Sequence, residues 1–376
     1  VRGPGVRSII IAAGGTGGHF FPAEALAAEL IRRGERVALM TDARSSSYAS
    51  PVFANAERFV LKGSGLAGHG VLGAARGALA LARGTLEARR LLLDLNPSAV
   101  VGFGGYPSVP PVVAARLLPK SRRPAVVLHE QNAVLGRANR SLAGGADLLA
   151  LCFEGTRRVP EGVTAEVLGN PVRPVIAALH GQGYAPPLEV LRILVIGGSL
   201  GARIFADVVP AAIASLPPEM RRRIEVVQQC RQEDLDRTRT AYATAGVRAE
   251  LASFFTDMDA RYRAAHLVIA RAGASTVAEI ACAGRPSILV PLPHAIDDHQ
   301  SENARSLSDA GAAELMFQAS FTPESLATSL KKALQAPESL DESARAAALL
   351  GRPDAAERLA DRVQSLVAVQ PLGKAV

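Results

Sequence analysis

At 376 residues the chain is long enough for two domains rather than one core, and 48% hydrophobic against 20% charged residues excludes a disordered polypeptide. Cys152, Cys230 and Cys282 stand far apart with no CxxC pairing, which excludes a disulfide framework or a thiolate zinc site and fits a reducing compartment. The net charge of +7 belongs to the first half, where residues 1–170 carry 20 Lys and Arg against 12 Asp and Glu; 4% aromatics and no Trp supply a base-stacking nucleic-acid platform poorly, which leaves an anionic membrane surface as the partner expected for that charge.

The opening run, 7–13, reads as a buried parallel strand, and it ends in Gly14-Gly15-Thr16-Gly17-Gly18-His19. Such a strand-to-glycine loop brings backbone N–H groups and a helix N-terminus close to an anion. A helix follows over 22–33, then a strand at 36–41, a helix at 72–94 and a strand at 98–102. The uncharged stretch Asn96–Ala115 is about long enough to cross a bilayer, but Pro97, Pro107, Pro110, Pro111 and Gly102-Phe103-Gly104-Gly105 break any helix there. With no charged segment leading into an apolar core and cleavage site, a soluble or peripheral protein is expected. A strand at 124–128 runs into His129-Glu130-Gln131-Asn132, followed by a helix at 134–143 and a strand at 147–152.

Asn170-Pro171-Val172-Arg173-Pro174 is a stiff crossing, so the domain junction is expected near 170. Beyond it the alternation repeats, with strands at 191–196, 224–228, 266–270 and 287–290 and helices at 201–215, 231–245, 276–283 and 300–310. The first of these strands enters a second glycine loop, Gly197-Gly198-Ser199-Leu200-Gly201. The fold class is therefore α/β, with two doubly wound parallel sheets and a substrate cleft expected between two anion-cradling loops. The domains expected are 1–170 and 171–352; a tail helix over about 353–376 could pack on either and is assigned to the first.

Three chemistries compete for these loops. Gly15-Thr16-Gly17-Gly18-His19-Phe20 has the first two glycines of a dinucleotide fingerprint, but Phe20 replaces the third, which close helix–strand packing requires. Gly197-Gly198-Ser199-Leu200-Gly201 is formally a nucleophile elbow, with His266, His294 and His299 downstream, yet the first loop has no matching serine pattern. Phosphate cradling explains both loops. The strings Gly104-Gly105-Tyr106, His129–Asn132, Arg271–Thr276 with Glu279, and Asp297-Asp298-His299-Gln300 also follow strands, at the edge where open α/β sheets bind ligands.

In this order, from the first glycine loop to about Asn303, these strings resemble the peptidoglycan glycosyltransferase family that adds N-acetylglucosamine to the lipid-linked muramoyl-pentapeptide, making lipid II from lipid I. The resemblance implies a GT-B architecture of two Rossmann-like domains, with acceptor on the first and UDP-N-acetylglucosamine mainly on the second. It implies an inverting mechanism, attachment to the cytoplasmic face of the inner membrane, and contact with other cell-wall synthesis proteins. Gly14, Gly15, Thr16, Gly17, Gly18, Gly104, Gly105 and Tyr106 match the acceptor loops. Thr16, Gly17, Gly18, Asn132, Arg173, Ser199, Phe255, Ala274, Ser275, Thr276, Glu279, His299 and Gln300 match donor contacts, Glu279 at the ribose and Phe255 where backbone groups read uracil. Leu200 and His299 depart from some relatives, which carry Gln there.

His19 is the candidate general base, because an imidazole titrates near neutral pH; the alternative is that it only binds the lipid diphosphate or caps a helix. Glu279 has its own alternative, since Thr276-Val277-Ala278-Glu279 spells a capping box. No obligatory metal is expected, and a divalent cation is at most stimulatory: Asp234-Leu235-Asp236 lies in a charged helix and Asp257-Met258-Asp259 reads as a helix start. Val71, Leu72, Leu79 and Leu81 near Arg76, Arg83, Arg89 and Arg90, with Lys120, Arg122 and Arg123, suit shallow insertion beside anionic lipids; an ordinary core helix with a basic face is the alternative. Two rival functions share these features: another GT-B enzyme of UDP-sugars, such as a glycolipid synthase or an epimerase, and a non-catalytic sugar-nucleotide sensor.

Overall fold

The computed structural model describes residues 8–14, 17–43, 50–61, 71–198 and 201–369. Gly15, Thr16, Ser199 and Leu200 lie outside the described residues. The chain divides into two compact units, Val1–Arg173 with Asp354–Val376, and Pro174–Pro353.

In the first unit the chain runs β1 (Ser8–Ala12), α1 (Gly17–Arg32), β2 (Arg36–Thr41), β3 (Glu57–Val60), α2 (Val71–Leu95), β4 (Ala99–Gly102), α3 (Gly105–Arg116), β5 (Ala125–Glu130), α4 (Arg137–Leu142), β6 (Leu148–Leu151) and β7 (Ala165–Val167). In the second it runs α5 (Pro174–Ala177), β8 (Leu191–Ile196), α6 (Arg203–Ala214), α7 (Pro218–Arg221), β9 (Ile224–Gln229), α8 (Leu235–Thr244), β10 (Arg248–Ala252), α9 (Met258–Ala264), β11 (Leu267–Ala270), α10 (Ala274–Ala283), β12 (Ser287–Leu289), α11 (His299–Ser308), β13 (Ala313–Leu315), α12 (Pro323–Gln335) and α13 (Pro337–Leu350); α14 (Ala355–Val369) returns to the first unit.

Both sheets are parallel. The first has the order β3-β2-β1-β4-β5-β6-β7 and the second β10-β9-β8-β11-β12-β13. In each, the first strand lies centrally and the order reverses beside it, which opens a ligand position at the carboxyl ends of the strands. Central strands carry continuous apolar runs, such as Ile9-Ile10-Ile11, Val126-Val127-Leu128 and Ile193-Leu194-Val195-Ile196, because both faces are covered there. The pleat sends Ile9 and Ile11 to one face, with Phe20, Leu26 and Leu30, and Ile10 to the other, with Leu92, Val112 and Leu128.

Helix α3 corrects the sequence reading, which takes Gly102-Phe103-Gly104-Gly105 and the prolines as breakers of any helix there. The loop is only Phe103-Gly104, and the helix starts at Gly105. Pro107 therefore falls in the first turn, where an N–H has no intrahelical partner. Pro110 and Pro111 do remove backbone donors inside the helix, and the buried packing of Val112, Ala114 and Ala115 against the sheet offsets that loss. Similarly α1 begins at Gly17 instead of 22, with Pro22 in its interior, so His19 sits in its first turn.

The tail helix α14 packs on the first unit. Leu359, Ala360 and Val363 are fully buried in its core. Arg33, just past the end of α1, bridges to Asp361 at 2.5 Å and Gln364 at 2.8 Å, and Arg362 reaches Glu166. Among the described residues no helix is long and apolar enough to cross a membrane.

Candidate functional site

In the first unit, the first turn of α1 and the loops leaving β4 and β5 meet at the carboxyl edge of the sheet. His19 Nδ1 lies 2.8 Å from Gln131 Oε1, and Gln131 Nε2 lies 2.9 Å from His129 Nδ1 and 3.1 Å from the His129 carbonyl. His129 Nε2 in turn lies 3.0 Å from the Gly169 carbonyl. Gly105 has φ +67°, and a Cβ there would come within 3.2 Å of His19 Cδ2 and 3.4 Å of Nε2. The glycine is needed both for the left-handed backbone and for the ring beside it. Gly104, at φ +77°, approaches the Asn139 amide in the same way.

Buried Glu130 organises the rest. Its Oε1 accepts from the backbone N–H and the side-chain amide of Asn132, at 3.1 and 3.0 Å. Its Oε2 accepts from the Gly136 N–H at 2.9 Å and from Asn139 Nδ2 at 3.0 Å. Asn132 is thus aimed by a fully engaged carboxylate. The structure therefore brings His19, Gly105 and Gly104 together with the Asn132 turn. Tyr106 is different: its hydroxyl donates to the Gly77 carbonyl of α2, at 3.3 Å. Arg173, the last residue of this unit, holds its guanidinium 5.6 Å from the Phe21 ring centroid. Asn132 and Arg173, which the resemblance groups with the donor, both belong to the first unit.

Burial lowers the pKa of His129 to about 4, against the opposing pull of the Gly169 carbonyl. The unfolded chain binds a proton below its ordinary value of about 6.5 and the folded one does not. Stability is then fully present above pH 6.5 and falls as the pH drops toward 4. Between pH 7 and pH 5 the first unit should lose about 2 kcal/mol from this group. Urea unfolding followed at both pH values should show that loss in the parent and a smaller one in His129→Gln; equal losses in the two proteins would refute it.

In the second unit, the loop after β8 is shaped by Gln229 at the end of β9. Its Oε1 accepts from the Gly197 N–H at 3.2 Å, and its Nε2 donates to the Gly198 and Ser253 carbonyls at 3.0 and 3.2 Å. A Cβ on Gly197 would lie 2.3 Å from the Ala202 nitrogen, so that position admits no side chain. The elbow's histidine partners are reduced, since His266 stands at the opposite, amino edge, where its Nδ1 accepts from the Arg192 N–H at 3.1 Å.

The capping-box alternative for Glu279 is overturned. Helix α10 starts at Ala274 with Gly273 as its cap and no side-chain cap bond, so Thr276 is already the third helical residue. Ala274, Ser275 and Thr276 form its first turn, whose N–H groups have no intrahelical acceptor. Glu279 lies a turn further on, buried, and its Oε2 accepts from the Tyr262 hydroxyl at 3.2 Å. Asn303 of α11 donates to the Ala272 carbonyl at 3.1 Å, tying α11 to that turn. Gln300 accepts from the Leu292 N–H at 3.0 Å. Before His299, Asp297 and Asp298 have φ of +55° and +54°; two consecutive non-glycine residues in the left-handed region store local strain of about 1–3 kcal/mol each. Phe255 is buried, with the Arg261 guanidinium 4.8 Å from its ring centroid.

The paired aspartates hold arginines. Asp234 accepts from Arg231 and Arg237, both at 2.8 Å, Asp236 from Arg239, and Asp257 from Arg261.

Comparison with known proteins agrees with both halves. The glycosyltransferase family 28 N-terminal domain matches residues 9–149, and the family 28 C-terminal domain matches 192–359. The chain is 58% identical, over 95% of its length and 93% of the relative's, to a UDP-N-acetylglucosamine--N-acetylmuramyl-(pentapeptide) pyrophosphoryl-undecaprenol N-acetylglucosamine transferase of Granulibacter bethesdensis. It is 50% identical to the transferase of the same name from Gluconobacter oxydans, over 96% of this chain and 98% of that one. The crystal structure of Acinetobacter baumannii MurG superposes with a TM-score of 0.76 at 32% identity, covering 96% of this chain and 99% of that one. With two Rossmann-like parallel-sheet domains and relatives this close along almost its whole length, the chain belongs to glycosyltransferase family 28, among the GT-B N-acetylglucosamine transferases.

Proposed function

We propose that this protein transfers N-acetylglucosamine from UDP-N-acetylglucosamine, with inversion, to the 4-hydroxyl of the muramoyl sugar of lipid I, giving lipid II. The observation that carries this reading is the 58% identity, spanning both domains, to a transferase of that name. The first unit takes the acceptor and the second most of the donor. The acceptor oxygen attacks the anomeric carbon as the bond to UDP breaks, and His19 takes the hydroxyl proton. The α10 N-terminus, around Ala274, Ser275 and Thr276, faces developing negative charge with roughly half a positive charge, and Glu279 accepts from the ribose hydroxyls. Gly14, Gly17, Gly18, Gly104 and Gly105 hold the lipid diphosphate, while Asn132, Arg173, Phe255, His299 and Gln300 complete the donor contacts.

Incubating the protein with radiolabelled UDP-N-acetylglucosamine and a lipid I analogue should give labelled lipid II, and UDP-glucose or UDP-N-acetylgalactosamine should give little. Conversion of the sugar nucleotide without acceptor would favour the epimerase reading instead.

The protein sits peripherally on the cytoplasmic face of the inner membrane, in contact with other cell-wall synthesis proteins. Support comes from α2, where Arg76, Leu79, Arg83, Leu86 and Arg90 are all exposed and spaced alternately three and four apart, forming one stripe. Leu117 and the basic run Lys120, Arg122 and Arg123 are also exposed, whereas Leu81 and Arg89 are half-buried. Each basic side chain near an anionic surface contributes about 1 kcal/mol. Replacing Arg76, Arg83 and Arg90 by alanine should lower flotation with anionic vesicles at least about tenfold, with little change on neutral ones; equal binding of parent and variant would count against it.

A further inference from the structure

Four groups at the carboxyl edge of the first sheet form a directional chain: His19, Gln131, His129 and the Gly169 carbonyl. Its direction follows from the last member. A carbonyl oxygen can only accept, so His129 Nε2 carries a proton. His129 is fully buried and, with its pKa lowered to about 4, neutral at physiological pH, so its Nδ1 is a bare acceptor. The Gln131 side chain therefore presents its NH₂ to that nitrogen. Were the amide reversed, its oxygen would face two acceptors, His129 Nδ1 and the His129 carbonyl. With the amide so set, Gln131 Oε1 faces His19 Nδ1 at 2.8 Å and can only accept.

We propose that Gln131 and His129 are positioning residues that hold neutral His19 as its Nδ1–H tautomer, leaving Nε2 as the bare nitrogen that takes the acceptor's proton. The Nε2 edge lies against Gly105, where the missing Cβ leaves it uncovered on that side. This inference rests on the reading of His19 as general base. As the proton arrives at Nε2, the ring becomes a cation whose Nδ1–H already points at an amide oxygen, so no group reorients during the step. Glu130, which lies between His129 and Gln131 in sequence, has both carboxylate oxygens engaged by Asn132, Gly136 and Asn139.

The test is long-range ¹H–¹⁵N NMR of the full-length protein labelled at histidine nitrogens, at a pH where His19 is neutral, with His19→Gln assigning its signals. The expected result is a protonated Nδ1 and a bare Nε2 in the parent protein. In Gln131→Met the population should move toward the Nε2–H form, with kcat falling roughly tenfold to a hundredfold and the donor KM unchanged. A parent His19 carrying its proton on Nε2, or the same tautomer in Gln131→Met, would overturn the inference. The base reading fails separately: a correct tautomer alongside an active His19→Ala enzyme would leave the chain of hydrogen bonds standing and remove His19 as the base.

Discussion

Replacing His19 by alanine should lower kcat by about 10²–10⁴-fold while leaving the KM for UDP-N-acetylglucosamine nearly unchanged. The split follows from where the residue stands. His19 lies in the first turn of α1, in the first unit, whereas Glu279 and the α10 N-terminus lie in the second. The ring is half-buried and hydrogen-bonds to Gln131, so its loss should cost stability only about 1 kcal/mol. The competing role, binding the lipid diphosphate, has a different signature: acceptor KM would rise and kcat at saturating acceptor would hold. Steady-state kinetics with both substrates varied separates the two, and turnover within about threefold of the parent would dispose of the base.

Glu279→Gln should raise the donor KM by about tenfold to a hundredfold with thermal stability close to normal. A hydrogen bond to a charged group contributes about 1.5–3 kcal/mol, which is that range of affinity. Glutamine keeps the size of the side chain and an oxygen for the Tyr262 hydroxyl, so the buried contact survives while the charge is lost. Alanine is the poorer probe, because it also opens a gap beside Tyr262, itself almost fully buried. Because α10 begins at Ala274, Glu279 has no capping role to lose. A clear drop in melting temperature with an unchanged donor KM would sink the ribose assignment.

The central strands were legible because burial on both faces demands continuous apolar runs, as in Ile9-Ile10-Ile11 and Leu148-Leu149. Glu57–Val60 and Arg248–Ala252 escaped the sequence reading for the converse reason: they are edge strands with exposed positions and no apolar run. Helix α3 was hidden by prolines whose cost depends on where the helix starts, a fact of tertiary packing. At the site, glycines are visible because loops of bare backbone have a spacing. Gln229 and Asn303 have none, and Gln131 shows only as one member of the His129–Asn132 string, with nothing to mark its partner. Each is a single polar residue whose partner lies far away in sequence, and only the strand order β1-β4-β5 brings His19 beside Gln131.

The return of α14 to the first unit sets an order of completion on the ribosome. Pro174–Pro353 is one uninterrupted stretch, so every strand and helix of that unit has been synthesised before α14 emerges. The first unit, begun earlier, must wait for Leu359, Ala360 and Val363 to close its core. A nascent chain that has finished its second unit thus still exposes the apolar face that α14 covers, and the domain started first is the last to be finished.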